Sequence, residues 1–287
     1  MEAIIQAIIQ GILLGGLYAV LGIGMSLIFG IVKITNLAHG DFIILAAFIS
    51  YVFMGVLGCN PFLTLILVIP IMFVVGYVVQ NTMLNKVLSR GDEPPLLVTF
   101  GLSIIIQNLL LYIFTANAHK LQTPLLLKAI PITEDVRIPV MYLIACIVSI
   151  CVILILAFYM KNTYQGRAIK AASDDIEAAR LMGVNVKSIY GIAMGIAMMT
   201  AAVAGVMLGT LFNFYSYSGG TYLIVAFAVV VIGGIGNLYG TLAAGFVFGL
   251  AQVVGAQILG TEWQQLIGYA VLLIMLIFRP QGLFGNK

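Results

Sequence analysis

From Ala3 to Val32 the chain carries no charged residue, and from Phe42 to Val79 it again carries none. A helix needs about 20 apolar residues to cross roughly 30 Å of hydrocarbon, and either stretch is long enough. Between them stands ITNLAHGDF, residues 34–42, a polar interruption holding His39 and Asp41, with Lys33 just before it. Water is the wrong solvent for such a chain. Only 8% of its 287 residues are charged, against about 25% in a soluble domain, and its mean hydropathy is +1.16. The pattern predicts an all-α polytopic membrane protein, a single domain over 1–287.

Candidate spans fall at 4–30, 36–57, 62–80, 96–115, 139–160, 189–212, 222–236, 239–259 and 264–278, giving eight or nine transmembrane or broken helices. Two of them are irregular, which leaves the parity open there. The stretch 222–236 ends in Gly233-Gly234-Ile235-Gly236, and the one starting at Asn36 opens on polar residues. The first apolar run lacks a basic leader and exceeds the roughly 7–15 residues of a signal-peptide core, so it is expected to be a retained span.

Lysine and arginine placement sets the expected orientation, because loops rich in them stay in the cytoplasm. With loop 161–188 inside, the inside segments hold Lys33, Lys86, Arg90, Lys161, Arg167, Lys170, Arg180, Lys187, Arg279 and Lys287, ten of the thirteen basic residues. Lys120, Lys128 and Arg137 fall outside. The N-terminus is then external and the C-terminus cytoplasmic. Trp263 and Tyr222 are expected at external span ends, as interfacial aromatics are. Loop 116–138 is the one sizeable external segment, either a connector or a surface for an extracytoplasmic partner.

Several chemistries are missing. There is no GxxxxGK[ST] to cradle a phosphate, no HExxH and no GxSxG, so no catalytic residue is expected. Cys59, Cys146 and Cys151 form no CxxC pair and read as packing residues, with no metal site. No run of Lys and Arg offers a nucleic-acid patch. Glycine pairs such as Gly11/Gly15 and Gly245/Gly249 have the spacing that lets helix backbones approach closely.

The densest charge lies in KNTYQGRAIKAASDDIEAARLMGVNVKS, residues 161–188. Asp174 can cap a short helix of about eight residues, with Glu177 at its third position and Gly183 as its stop. Ile176, Ala179, Leu181 and Met182 would give it small and apolar side chains for docking into a cleft. On these residues alone, a solvated connector is equally compatible.

Glu177-Ala178-Ala179 followed by Gly183 resembles the EAA…G coupling loop of ABC-importer permeases. GRAIKAASDDIEAARLMGVNVKSIYGIAMGIAMMTAAVAGVMLG is similar to the matching stretch of branched-chain amino acid ABC-importer permeases. ITNLAHGDFIILAAF resembles the signature of their shorter, H-type subunit, and GGIGNLYGTLAAGFVFGL their C-terminal glycine signature. The likeness runs from about Gly11 to Gly282. It implies a multi-pass subunit of a prokaryotic inner membrane, importing leucine, isoleucine and valine. Its implied partners are a second, M-type permease, two cytoplasmic ATPases that use ATP and Mg, and an extracytoplasmic binding protein. Asp174, Glu177, Ala178, Ala179, Leu181 and Gly183 would then couple to the ATPases. H-type permeases for urea or short amides look much the same, so that substrate class is the alternative.

The polar interruption has three readings. Lys33, His39 and Asp41 can sit at the cytoplasmic interface, with Asn36 or Asp41 capping a helix. They can form a polar break facing a translocation path. His39 and Asp41 can relay protons, which would suit an ion-coupled secondary transporter. A second break has similar spelling: Asn36-Leu37 precedes Gly40, and Asn237-Leu238 precedes Gly240. If the two flank a central path, as discontinuous helices do, the candidate path residues are Asn36, His39, Gly40, Asp41, Gly234, Gly236 and Asn237.

Overall fold

A computed structural model describes residues 2–91, 93–131 and 136–285. Its elements, in order, are helices α1 (Glu2–Val32), α2 (His39–Leu57) and α3 (Pro61–Val79), then a π-helical turn Gln80–Leu84 that runs into the single turn α4 (Asn85–Val87). Next come α5 (Glu93–Phe114), a small hairpin of β1 (Ala129–Pro131) and β2 (Arg137–Pro139), and α6 (Val140–Asn162). The remainder is α7 (Tyr164–Asp174), α8 (Ile176–Leu181), α9 (Val186–Leu211), α10 (Gly219–Gly233), α11 (Leu238–Leu259) and α12 (Gln264–Phe278). Eight helices among the described residues are long and apolar enough to cross a membrane, and α10 is a ninth, shorter apolar helix. The fold is therefore the expected all-α polytopic one, with a two-stranded hairpin added.

α1 is apolar on every side, and such a helix belongs in the middle of a bundle. Leu17, Ala19, Leu21 and Ile23 are fully buried. Gly11 and Gly15 let it press directly on α11, where a Cβ on Gly15 would stand 2.6 Å from the Phe246 Cα. Cys146 of α6 fills the hollow at Gly16, which is the packing role expected of that cysteine. By contrast α5 and α12 lie at the rim, with Leu97, Ile105, Tyr112, Leu273 and Ile277 exposed.

Cross-chain hydrogen bonds define two ends of the bundle. At the hairpin end, Gln6 exchanges two bonds with the Arg137 backbone, at 2.8 and 3.0 Å. There also His119 pairs with Phe214, and Leu121 N donates to Gly209 O at 2.8 Å. Loop 116–138 is thus strapped to the bundle over its described part; residues 132–135 lie outside the described residues. At the opposite end, named the coupling end for the role expected of loop 161–188, Ser173 Oγ donates to Gly30 O at 2.7 Å, and Asn85 Nδ2 donates to Lys187 O at 3.1 Å. Glu2 starts at the hairpin end, and the described C-terminal segment packs at the coupling end, where Asn237 Nδ2 donates to Phe284 O at 3.0 Å.

Candidate functional site: a broken-helix junction and a coupling helix

α1 ends at Val32, and Lys33 reverses the chain in a left-handed conformation, φ 57°. Residues 33–38 have no helical structure and run back into the bundle. His39 Nε2 then stands 3.0 Å from Leu21 O. Leu21 lies about three turns before the end of α1, which at 1.5 Å per residue is about 16 Å of depth. So α2 begins deep inside the bundle and leaves toward the hairpin end, where Phe48 stacks on Phe114.

α10 shows the complementary break. Its 15 residues rise only about 22 Å, too short for a membrane of roughly 30 Å. The segment from Phe212 to Ser218 enters from the hairpin end, and Gly219 opens α10 against Gly40 and Asp41. A Cβ on Gly40 would overlap the Gly219 carbonyl oxygen, and a Cβ on Gly219 would overlap the Asp41 carboxylate. Both positions need glycine for this approach. The N-terminal ends of α2 and α10 therefore meet at mid-depth, and each is the positive end of a helix.

Asp41 is buried at this junction, 2% exposed. Ser103 Oγ donates to its Oδ2 at 2.5 Å, and Gln107 Nε2 donates to its Oδ1 at 2.9 Å. Thr99 Oγ1 accepts from Leu37 N at 3.3 Å. Two side-chain donors and two adjacent helix N-termini satisfy the oxygens of this buried carboxyl group. Asn36 folds back on its own loop, its Oδ1 accepting from Ala38 N at 3.0 Å. Its Nδ2, like His39 Nδ1, is buried with no partner.

This placement corrects the interfacial reading of the triad. Lys33 alone is exposed at the coupling end, while His39 and Asp41 are drawn about 16 Å inward by the re-entrant segment. Neither caps α2, whose N-cap residue, Ala38, makes no side-chain cap bond. Tyr222 is also displaced from its expected span end, because it falls in the first turn of the half-helix α10. Thr99, Ser103 and Gln107 were missed by the sequence reading. Their signal was a polar residue every fourth position in an otherwise apolar helix.

The second break sits elsewhere. Gly236, φ 79°, lies against the Gly30 Cα at the coupling end of α1. Gly234, φ 97°, packs on the C-terminal segment near Gln281 and Gly285. Asn237 caps α11, accepting from Gly240 N at 2.9 Å. Gly234, Gly236 and Asn237 are thus gathered together, but not with Asn36, His39, Gly40 and Asp41.

The short loop helix expected from the sequence is α8. Its N-cap is Asp175, not Asp174: Asp175 Oδ1 accepts from Glu177 N at 2.9 Å and Ala178 N at 3.0 Å. Asp174 is the last residue of α7, and α8 is six residues long rather than about eight. Sequence alone offers two adjacent aspartates; the extended backbone of Asp175 (ψ 111°) decides between them. Glu177 pairs with Arg180 at 3.1 Å on the surface. At the other end, Val184 N bonds Ala179 O and Gly183 N bonds Arg180 O. With Gly183 at φ 80°, this is a Schellman stop. Ala179 anchors the helix, while Leu181 and Met182 are 88% and 84% exposed.

A polytopic helical bundle with a buried polar break in its middle and a capped loop helix at one end is the architecture of a multi-pass membrane protein. The family model for "branched-chain amino acid transport system / permease component" matches residues 7–276. The chain belongs to this family and is a multi-pass inner-membrane protein. It is similar to the high-affinity branched-chain amino acid permease BraD of Pseudomonas aeruginosa, at 25% identity over 98% of this chain and 96% of that protein. The permease LivH of Escherichia coli is 27% identical over the same shares of each chain. Over a shorter stretch, a probable ABC transporter permease of Sinorhizobium fredii is 33% identical, covering 48% of this chain and 43% of its own. No solved structure matches.

Proposed function

We propose that this chain is one permease subunit of an ATP-driven importer for leucine, isoleucine and valine. The observation that carries the coupling half of this reading is α8. It is stopped firmly at both ends, yet it turns Leu181 and Met182 into solvent. Such a helix suits the cleft of a cytosolic ATPase, where Ala178 and Glu177 would lie beside the contact. The loop 161–188 is then cytoplasmic, the N-terminus external and the C-terminus cytoplasmic. ATP and Mg belong to two partner ATPases, and a binding protein delivers substrate at the hairpin end.

Movement of α8 has two short routes into the bundle. Ser173 of α7 holds the Gly30 carbonyl, and Gly30 abuts Gly236. The Lys187 carbonyl at the start of α9 holds Asn85 beside the π-helical turn. A shift of the loop would thus pull on α1, α3 and the second break together. In this reading the α2–α10 junction backs the wall of the path, with Asn36, His39, Gly40 and Asp41 buried behind that wall and a second permease completing the path across it. Gly234, Gly236 and Asn237 serve as the hinge at its coupling end.

Reconstitution with the partner permease, both ATPases and the binding protein tests this. The expected outcome is ATP-dependent uptake of leucine, competed by isoleucine and valine but not by urea or acetamide. Uptake by the isolated chain on an ion gradient would refute it. Glu177→Lys and Gly183→Val should abolish ATPase stimulation while the complex stays assembled.

A further inference from the structure

The last carbonyls of α10 open toward the coupling end, where the helix has no further turn of its own to bond them. Gly234 N bonds Val230 O at 3.0 Å, and Asn237 N bonds Gly234 O at 3.1 Å. Ile232 and Gly233 are served by a distant segment instead. Leu283 N donates to Ile232 O at 2.8 Å, and Phe284 N donates to Gly233 O at 3.3 Å. Asn237 Nδ2 donates back to Phe284 O at 3.0 Å, while Asn237 Oδ1 accepts from Gly240 N. One asparagine thus ties this segment to the start of α11.

The segment is residues 279–285, which follows α12. A turn brings it across the end of α10, with Gly282 N bonded to Arg279 O at 2.9 Å. Gly282 has φ 81°, a conformation that favours glycine. It is also buried, and a Cβ there would stand 2.5 Å from Gly234 N and 2.7 Å from Val231 O. Leu283 packs partly buried against the core, whereas the Phe284 side chain is exposed. What Phe284 brings to the contact is therefore its backbone.

The other end of α10 is the deep junction, where Gly219 lies against Gly40 and Asp41. A helix of 15 residues is a short rod, so a displacement at one end appears at the other. The link onward to α11 holds Gly234 and Gly236, both at positive φ, and such a link fixes position weakly. We propose that residues 279–285 form a clasp that positions the half-helix α10, with Gly282 and Leu283 as its positioning residues. The meeting of Gly219 with Asp41 is then set from the coupling end, by a third route that does not pass through α8. Its consequence for uptake rests on the transport reading above; the clasp itself does not.

The test uses the full chain assembled with the partner permease, both ATPases and the binding protein. Amide hydrogen exchange is measured in nanodiscs, and ATP hydrolysed per leucine imported is measured in vesicles. Slow exchange at Leu283 and Phe284 is expected in the parent. Leu283→Pro removes a donor, and Gly282→Val drives the segment off Gly234. Each should speed exchange across α10 about tenfold, the worth of roughly one hydrogen bond. Each should also raise the ATP used per leucine about fivefold, while the complex elutes as the parent does. Leu283→Ala and Phe284→Ala keep both donors and should match the parent in both readouts. Deletion of residues 280–287 should reproduce Leu283→Pro, and takes its place if proline prevents assembly. Free exchange at Leu283 and Phe284 in the parent overturns the proposal. Parental exchange in α10 after the deletion does so too, as does faster exchange with a parental ATP ratio, which a merely structural contact would give. Leu283→Ala matching Leu283→Pro would assign the effect to side-chain packing and refute a backbone clasp. If the parent assembly imports no leucine, the transport reading fails, while exchange at Leu283, Phe284 and α10 still decides the clasp.

Discussion

The two breaks share a spelling, Asn-Leu followed by glycine, and a close glycine contact, but only one adds side chains to it. At Asn36–Asp41 the approach of Gly40 to Gly219 is joined by side chains: His39 reaches α1, and Asp41 is held by Ser103 and Gln107, 62 and 66 residues away. At Gly233–Asn237 the contact is made by backbone: Gly236 on Gly30, Gly233 on Gly240, and one asparagine cap. The first lies deep, where a carboxylate needs donors. The second lies at the bundle end, where close approach matters and water satisfies the rest. A polar break in a membrane helix is thus not one device. Its depth decides whether side-chain partners must be added to the close backbone contact.

This contrast predicts a graded set of effects. The largest falls on Gly40→Ala, whose Cβ meets the Gly219 carbonyl. Backbone must move, costing about 3 kcal/mol or more, and the purified chain should lose its cooperative thermal transition. Asp41→Leu comes next. It strands the Ser103 and Gln107 donors, at about 1–3 kcal/mol, whereas Asp41→Asn keeps the shape and should lower stability less. A midpoint equal for both variants would erase the distinction between charge and shape at the deep break.

Gly236→Ala should cost about 1–2 kcal/mol, because φ 79° strains any L residue. It also crowds Gly30, so ATPase coupling should fall further than stability does. The smallest effect is on caps. Asp175→Ala should remove about 1 kcal/mol from α8 and reduce ATPase stimulation. Asp174→Ala should do neither, and a reversed order in stimulation assays would return the cap to Asp174.

Much of this protein was legible from its residues. Apolar runs longer than a bilayer is thick leave few folds, so the helices at 4–30, 96–115 and 139–160 were placed within a few residues of α1, α5 and α6. The Schellman glycine at Gly183 was legible too, because a left-handed stop favours one residue type. The cap was misplaced by a single residue, since Asp174 and Asp175 are chemically equal and only backbone conformation separates them.

Solvent preference and local stereochemistry are properties of short segments, and these the chain carries in itself: membrane class, span positions, a loop helix and its stop. Depth and partnership are not local. That Lys33 turns out while Asp41 turns in follows from a re-entrant segment whose course is fixed by α1, α9 and α10. That Asp41 is held by α5 follows from packing across 62 residues. Tertiary structure decided these because a buried polar group is settled by whichever donors the fold brings to it, and sequence distance says nothing of that.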